Sequence, residues 1–153
     1  IYMDVTFADD LQRKFGGHGG DFAMAYVLAH EVGHHVQNQS GLLMHVHKLQ
    51  QQMSEADAKR YSVALELHAD YLAGVFAYYV QQKGYLEAGD IEEAINAAKT
   101  VGDDHLQKIT QGQIRPEEFT HGTSEQRAAW FRRGMQYHDF SHGDTFGALG
   151  LQI

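Results

Sequence analysis

Cysteine is absent from this 153-residue chain, proline occurs once, and basic residues are few and scattered. Without cysteine, neither a disulfide frame nor thiolate zinc can stabilise the fold, so any metal must rest on histidine and carboxylates. Lys and Arg number 12 against 20 Asp and Glu, a formal net charge of −8. That balance, with no basic run, argues against nucleic acid as a partner, because such binding neutralises phosphates with clustered cations. Long hydrophobic runs are missing as well. The most apolar stretch, "LHADYLAGVFAYYV", contains His68 and Asp70 and falls short of the ~20 residues that span a bilayer. No membrane contact by this segment is expected; peptides, small molecules or metals are the partners left.

The length fits a single domain over residues 1–153 with one core. Residue 1 is Ile rather than Met and no signal peptide precedes it, from which we expect a trimmed or processed stretch lacking an N-terminal segment of the full-length protein. Residues Ile1 to Phe7, "IYMDVTF", alternate apolar and polar with the period of a half-buried strand. Such a strand could form a sheet edge along which an extended substrate pairs. Beyond it the pattern is helical. "ADDLQRKFGG" reads as a short helix stopped by glycine, and a second helix runs from Asp21 to about Gln39, ended by Gly41. Another covers Leu42 to Gln82, broken near Ser54, where Ser54 and Asp57 have cap spacing. One more spans Asp90 to about Thr110. The chain's single proline lies in "QGQIRPEEFTHGTS", before Thr123 and Gln126 in capping-box spacing. The expected fold class is therefore mainly α with a small β element (α+β).

The segment "AYVLAHEVGHHVQNQSG" places ionisable groups in an otherwise apolar helical run. His30 and His34 are four apart, so on a helix their imidazoles leave one face at neighbouring levels and can converge on one ion. Glu31 stands one position round, beside that ion. Zinc takes such ligands at about 2.0–2.2 Å and, in catalytic sites, keeps a position for water whose pKa falls to roughly 7. A neighbouring carboxylate can then remove the water's proton, which gives H-E-x-x-H a mechanism. The longer form H-E-x-x-H-x-x-G-x-x-H is excluded, because Gln37 and Ser40 stand where Gly and His are required.

The third ligand is expected in "ELHAD". Glu66 and Asp70 are again four apart on a helix, offering one carboxylate to the metal and a second to accept the N–H of a ligating histidine. Ser62, Ala69, Ala73, Gly74 and Ala77 lie on or beside that face, and Gly33 lies beside the histidines. Small residues there let two helices approach closely enough to share an ion. Leu67, Tyr71, Val75 and Tyr79, with Leu72, Phe76 and Val80, are read as the core side of the second helix.

With those motifs in place, the sequence resembles the bacterial "putative neutral zinc metallopeptidase" family, gluzincin-type proteins with H-E-V-G-H-H-V-Q followed by E-L-x-A-D. Here these are His30 to Gln37 and Glu66 to Asp70. The likeness continues through "GDFAMAYVLAHEVGHHVQ", "GDIEEAINAAKTVGDDHLQ", "FTHGTSEQRAAWFRRG" and "GDTF", in order along nearly the whole chain. It implies a zincin-like domain in which the H-E-x-x-H helix packs on a second ligand-bearing helix, with one Zn²⁺ per chain held by His30, His34 and Glu66, Glu31 as general base, and Asp70 orienting a ligand histidine. It further nominates His121, in "THGTSEQR", for binding substrate or the oxyanion, and Arg127 more weakly. Relatives carry cysteine where Tyr71 and Gly143 stand, so the resemblance implies that these two positions are neighbours. It also implies a membrane-tethered or extracytoplasmic full-length protein with an N-terminal anchor.

His45 and His47 are two apart, on different sides of a helix; His35 points off the metal face, His68 is rotated away from Glu66, and His18, His105, His138 and His142 lack ligand spacing, which leaves them surface or supporting roles. The acids of "EAGDIEE" and "GDDH" read as solvated helix ends. The expected activity is zinc-dependent hydrolysis of peptide or protein substrates. The alternatives are a catalytically inactive zinc-binding structural or interaction module, and a helical domain with no metal at all.

Overall fold

A computed structural model describes residues 21–87 and 89–153. Among them there is no strand: the fold is built from helices alone, which corrects the mixed α+β expectation to an all-helical one. The strand expected at Ile1 to Phe7, its sheet edge, the short helix after it and His18 lie outside the described residues. The helices are α1 (Asp21–Gln39), α2 (Leu42–Gln50), α3 (Glu55–Gln82), α4 (Asp90–Thr100), α5 (Asp103–Gln111), α6 (Ser124–Tyr137) and α7 (Thr145–Ala148), with a 3₁₀ turn at Pro116–Glu118. None is long and apolar enough to cross a membrane.

Local chemistry sets most boundaries. Ser54 accepts from the Asp57 backbone N–H and starts α3, and Thr123 with Gln126 closes a reciprocal capping box at the start of α6. Gly41, at φ 81°, turns the chain between α1 and α2 in a conformation L side chains rarely adopt. The expected single helix over Asp90 to Thr110 is instead two, α4 and α5, meeting at Val101 and Gly102. The break has a tertiary cause: Gly102 lies so close to Ser124 that a Cβ would collide with its backbone, and Asp103 donates its backbone N–H to the Gly122 carbonyl at 2.8 Å.

The long α3 is the centre of the packing, lying against α6 and α1, with α4 closing the other side of α1 and α6. The core between them is rich in alanine: Ala23, Ala29, Ala73, Ala94, Ala98 and Ala128 surround Tyr26, Ile95 and Phe131. Small side chains bring helix axes together, and at the α3–α6 crossing glycine does so on both sides. A Cβ on Gly74 would run into the Phe131 carbonyl, and one on Gly134 into that of Tyr71. A second cluster of Val46, Ala64, Leu65, Phe146 and Leu151 anchors α2 and the C-terminal tail. Two residues assigned to the core of α3 are not there: Phe76 is 56 % and Tyr79 52 % exposed, because beyond Gly74 only one side of α3 is covered.

Tyr71 and Gly143 are neighbours, as the resemblance implied. The Tyr71 ring is fully buried and fills the space a Gly143 side chain would need, with its Cδ1 only 2.7 Å from a Cβ built there.

Candidate metal centre

Helix α1 presents His30 and His34 one turn apart with Glu31 beside His30, and α3 presents Glu66 and Asp70 towards them. The two helices come close where Gly33 faces Ala69: a Cβ on Gly33 would stand 2.9 Å from the Ala69 carbonyl oxygen and 3.0 Å from its Cα. His30 Nε2 then lies 3.0 Å from Glu66 Oε2, His34 Nε2 3.3 Å from Glu66 Oε1, and the two Nε2 atoms 3.1 Å apart. One donor atom from each of His30, His34 and Glu66 falls within 4.8 Å of the others, a group that could hold a metal ion.

Hydrogen bonding tests whether a cation fits. His34 Nδ1 is 2.9 Å from the amide oxygen of Gln37, an atom that only accepts, so this nitrogen carries the proton and Nε2 is bare. His30 Nδ1 is 2.8 Å from Asp70 Oδ1, which assigns the same tautomer to the neutral ring. Two bare imidazole nitrogens and a carboxylate facing one another repel unless a cation lies between them. Tetrahedral ligands at 2.0–2.2 Å from one ion are about 3.3–3.6 Å apart, close to the separations here. The same field acts on protons: burial disfavours the His30 imidazolium, yet Asp70 and Glu66 outweigh it and raise the pKa to about 9. Burial likewise opposes the Glu66 carboxylate, but when protons stand in for the cation, hydrogen bonds from His30 and His34 hold it far below the usual carboxylate range.

Asp70 does more than the sequence indicated. It is fully buried and accepts from Tyr26 Oη, from His30, and from Arg127 through Nε at 2.8 Å and Nη2 at 3.2 Å. Burial raises its pKa, but the Arg127 and His30 charges overcome that and keep it ionised. Arg127 is only 3 % exposed and also donates to the Val101 carbonyl at 3.0 Å and to Tyr26 Oη at 3.2 Å. Its guanidinium is committed to clamping Asp70 and lies 4.0 Å from Glu66 Oε2. Burial and the Asp70 charge both push the Tyr26 hydroxyl upward, so it stays protonated as a donor.

A cavity of about 260 Å³ opens on this group. His30, Glu31, His34 and Glu66 line it from α1 and α3, and Val101, Leu106 and His121 from the chain between α4 and α6. His121 is held there by a residue that composition did not reveal. Asp103 Oδ2 accepts the backbone N–H groups of Thr120, His121 and Gly122 at 2.8, 2.6 and 3.0 Å, while Oδ1 lies 3.2 Å from His121 Nδ1. Asp104 accepts from Ser124 in the same way, so "GDDH" is a loop anchor rather than a solvated helix end. The Asp103 hydrogen bond raises the His121 pKa, and His121 in turn helps lower that of Asp103 against the opposing effect of burial. Two further residues missed from sequence are Gln37, fully buried, and His68, whose half-buried ring contacts the Gln37 amide at 3.1 Å. Burial drives the His68 pKa down to about 4. His45 and His47 are exposed on α2, and neither lines this cavity.

Residues 1–146 match the model of a family described as "Putative neutral zinc metallopeptidase". Among curated proteins the chain is similar to "Uncharacterized protein YpfJ" of Escherichia coli (strain K12), 51 % identical over 147 residues, covering 96 % of this chain and 51 % of the relative. It is also similar to "Uncharacterized protein Mb2605" of Mycobacterium bovis, 44 % identical over 160 residues, covering 98 % of this chain and 53 % of the relative. The chain thus spans about half the length of the curated relatives it matches. No solved structure gives a significant match.

Proposed function

The chain belongs to the "Putative neutral zinc metallopeptidase" family, and from that premise we propose that it is a peptide hydrolase in which His30, His34 and Glu66 hold one Zn²⁺. Zinc in such a place supplies Lewis acidity, polarising a peptide carbonyl and lowering the pKa of water to roughly 7.

The protein's own groups do the rest. Glu31, exposed on the cavity wall beside the ligands, takes a proton from the attacking water as its oxygen bonds to the carbonyl carbon. The same carboxyl returns that proton to the amide nitrogen as the C–N bond breaks, leaving a carboxylic acid and an amine. His121, with Nδ1 engaged by Asp103, offers Nε2–H to the oxygen on which negative charge develops. Asp70 and Gln37 keep both ligand histidines turned inward.

The observation that carries this proposal is the convergence of two bare imidazole nitrogens and the Glu66 carboxylate at the mouth of a cavity that Glu31 also lines. An inactive zinc-binding module is the second reading. A purely structural site closes its fourth position with another ligand and has no use for a carboxylate poised beside it. The test pairs elemental analysis with cleavage of a mixed peptide library before and after chelation and zinc restoration. One zinc per chain with chelator-sensitive cleavage is expected. Glu31→Gln should retain the zinc and lose hydrolysis by at least 10²-fold; full turnover in that variant would sink the mechanism, and zinc without any cleavage would favour the inactive module.

A further inference from the structure

Gln37 sits on α1 nearly one turn beyond His34 and is fully buried. A buried primary amide must place two N–H donors and one carbonyl acceptor. Its Nε2 donates to the Leu65 carbonyl oxygen at 2.7 Å and lies 3.1 Å from His68 Nδ1, so both donors are spent on α3. Turning the amide over would set its oxygen against the Leu65 carbonyl, which fixes Oε1 on the side of His34 Nδ1, 2.9 Å away.

We propose that Gln37 is a positioning residue that fixes the tautomer and ring orientation of His34 and thereby sets the metal affinity of the centre. This rests on the zinc assignment above and extends it to a residue outside the ligand set. An acceptor at Nδ1 forces the proton there and leaves Nε2 bare, 3.1 Å from His30 Nε2 and 3.3 Å from Glu66 Oε1. Gln37 is to His34 what Asp70 is to His30, with one difference: it is neutral. Glu66 and Asp70 already place two carboxylates around a single buried guanidinium, Arg127. An amide turns the second imidazole without adding a third negative charge to that low-dielectric pocket. Because its anchor is Leu65, the residue before Glu66, the same side chain also ties His34 on α1 to the third ligand on α3.

Long-range ¹H–¹⁵N correlation of the full chain without zinc reads which nitrogen of His34 carries the proton, and chelator competition reads zinc affinity. The expected result is Nδ1–H in the wild-type protein, a mixture of tautomers in Gln37→Met, and zinc binding weakened about 10–100-fold in that variant. Gln37→Glu, which restores an acceptor, should return His34 to Nδ1–H and recover most of the affinity. Wild-type His34 protonated on Nε2 would overturn the proposal without any variant. So would a folded Gln37→Met protein that keeps both the Nδ1–H form and wild-type affinity. Should the wild-type chain hold His34 as Nδ1–H yet take up no zinc, the zinc assignment fails while the control of the tautomer by Gln37 stands.

Discussion

Two carboxylates, Asp70 and Asp103, each organise a histidine at the cavity, and they do so by opposite means. Asp70 is fully buried and works through side chains from two helices, Tyr26 and His30 on α1 and Arg127 on α6. Asp103 works through three successive backbone N–H groups, shaping the loop that carries His121. The His30 side chain is 9 % exposed and that of His121 48 %. Under the proposed function, the difference separates two requirements of one site. Metal ligands need fixed geometry and gain from a rigid, fully paired surround, whereas a group that meets a substrate must stand in the open on a loop.

Breaking the buried half should have the largest effect. Asp70→Ala leaves the Arg127 guanidinium as an uncompensated buried charge, a loss of about 3–5 kcal/mol. Tm should fall by roughly 10 °C in a domain of this size, with zinc affinity lost alongside. Thermal denaturation with metal analysis checks both, and a variant within 1 kcal/mol of the wild type would mean that Arg127 reaches water once released. Removing the cation too, in Asp70→Leu with Arg127→Leu, should recover much of the stability.

Breaking the loop half should separate activity from metal binding. Asp103→Asn is close in shape but sets an N–H₂ where the carboxylate took donors. Zinc content should hold while turnover falls about 10–100-fold as His121 loses its orientation. The pair also predicts a pH signature. The Asp103 pKa is lowered from 3.8, so the stability its ionised form provides is present above about pH 4 and is lost as pH falls through the depressed value. The His121 pKa is raised from 6.5, so the contribution of its protonated form is complete below about that pH and fades as pH rises through the raised value. The stability gap between wild type and Asp103→Asn should therefore be widest at mildly acidic pH and narrow on both sides. Urea denaturation from pH 3 to 9 measures it; a gap independent of pH would show that the ionic form of the pair contributes nothing.

The same contrast explains what the sequence made legible. His30, His34, Glu66 and Asp70 could be placed on two facing helices because i, i+4 spacing is local, and the glycine and alanines beside them announced a close approach that Gly33 and Ala69 make. Gln37 was visible as a mismatch to a longer zinc motif and as the end of the H-E-V-G-H-H-V-Q block, but without a role, since its partners Leu65 and His68 are 28 and 31 positions away. Asp103 looked like an ordinary acid at a helix start. Its role depends on the helix breaking at Val101 and Gly102, and that break is dictated by Ser124 on a different helix. Arg127 was nominated only weakly for substrate binding; α6 brings it beneath Asp70, where it is buried in an ion pair and still borders the cavity. Amphipathic pattern likewise placed Phe76 and Tyr79 in the core, where periodicity cannot report that no neighbour covers that end of α3.

The smallest expected effect probes the open half once more. Val27, Val101 and Leu106 give the cavity an aliphatic wall beside Glu31 and His121, which under the proposed hydrolysis would receive an apolar substrate side chain next to the scissile bond. Leu106 is half-buried on α5, and its apolar side chain supplies no polar atom to the His30, His34 and Glu66 group or to the Asp70 network, so truncating it should spare zinc content. Methylene-scale changes in such pockets are worth about 1–3 kcal/mol in discrimination. Leu106→Ala should therefore shift relative cleavage rates by about tenfold towards peptides with bulkier apolar side chains, read from a mixed library by mass spectrometry. An unchanged preference would place the substrate side chain elsewhere in the cavity, and would leave α5 serving only to carry Asp103 to the His121 loop.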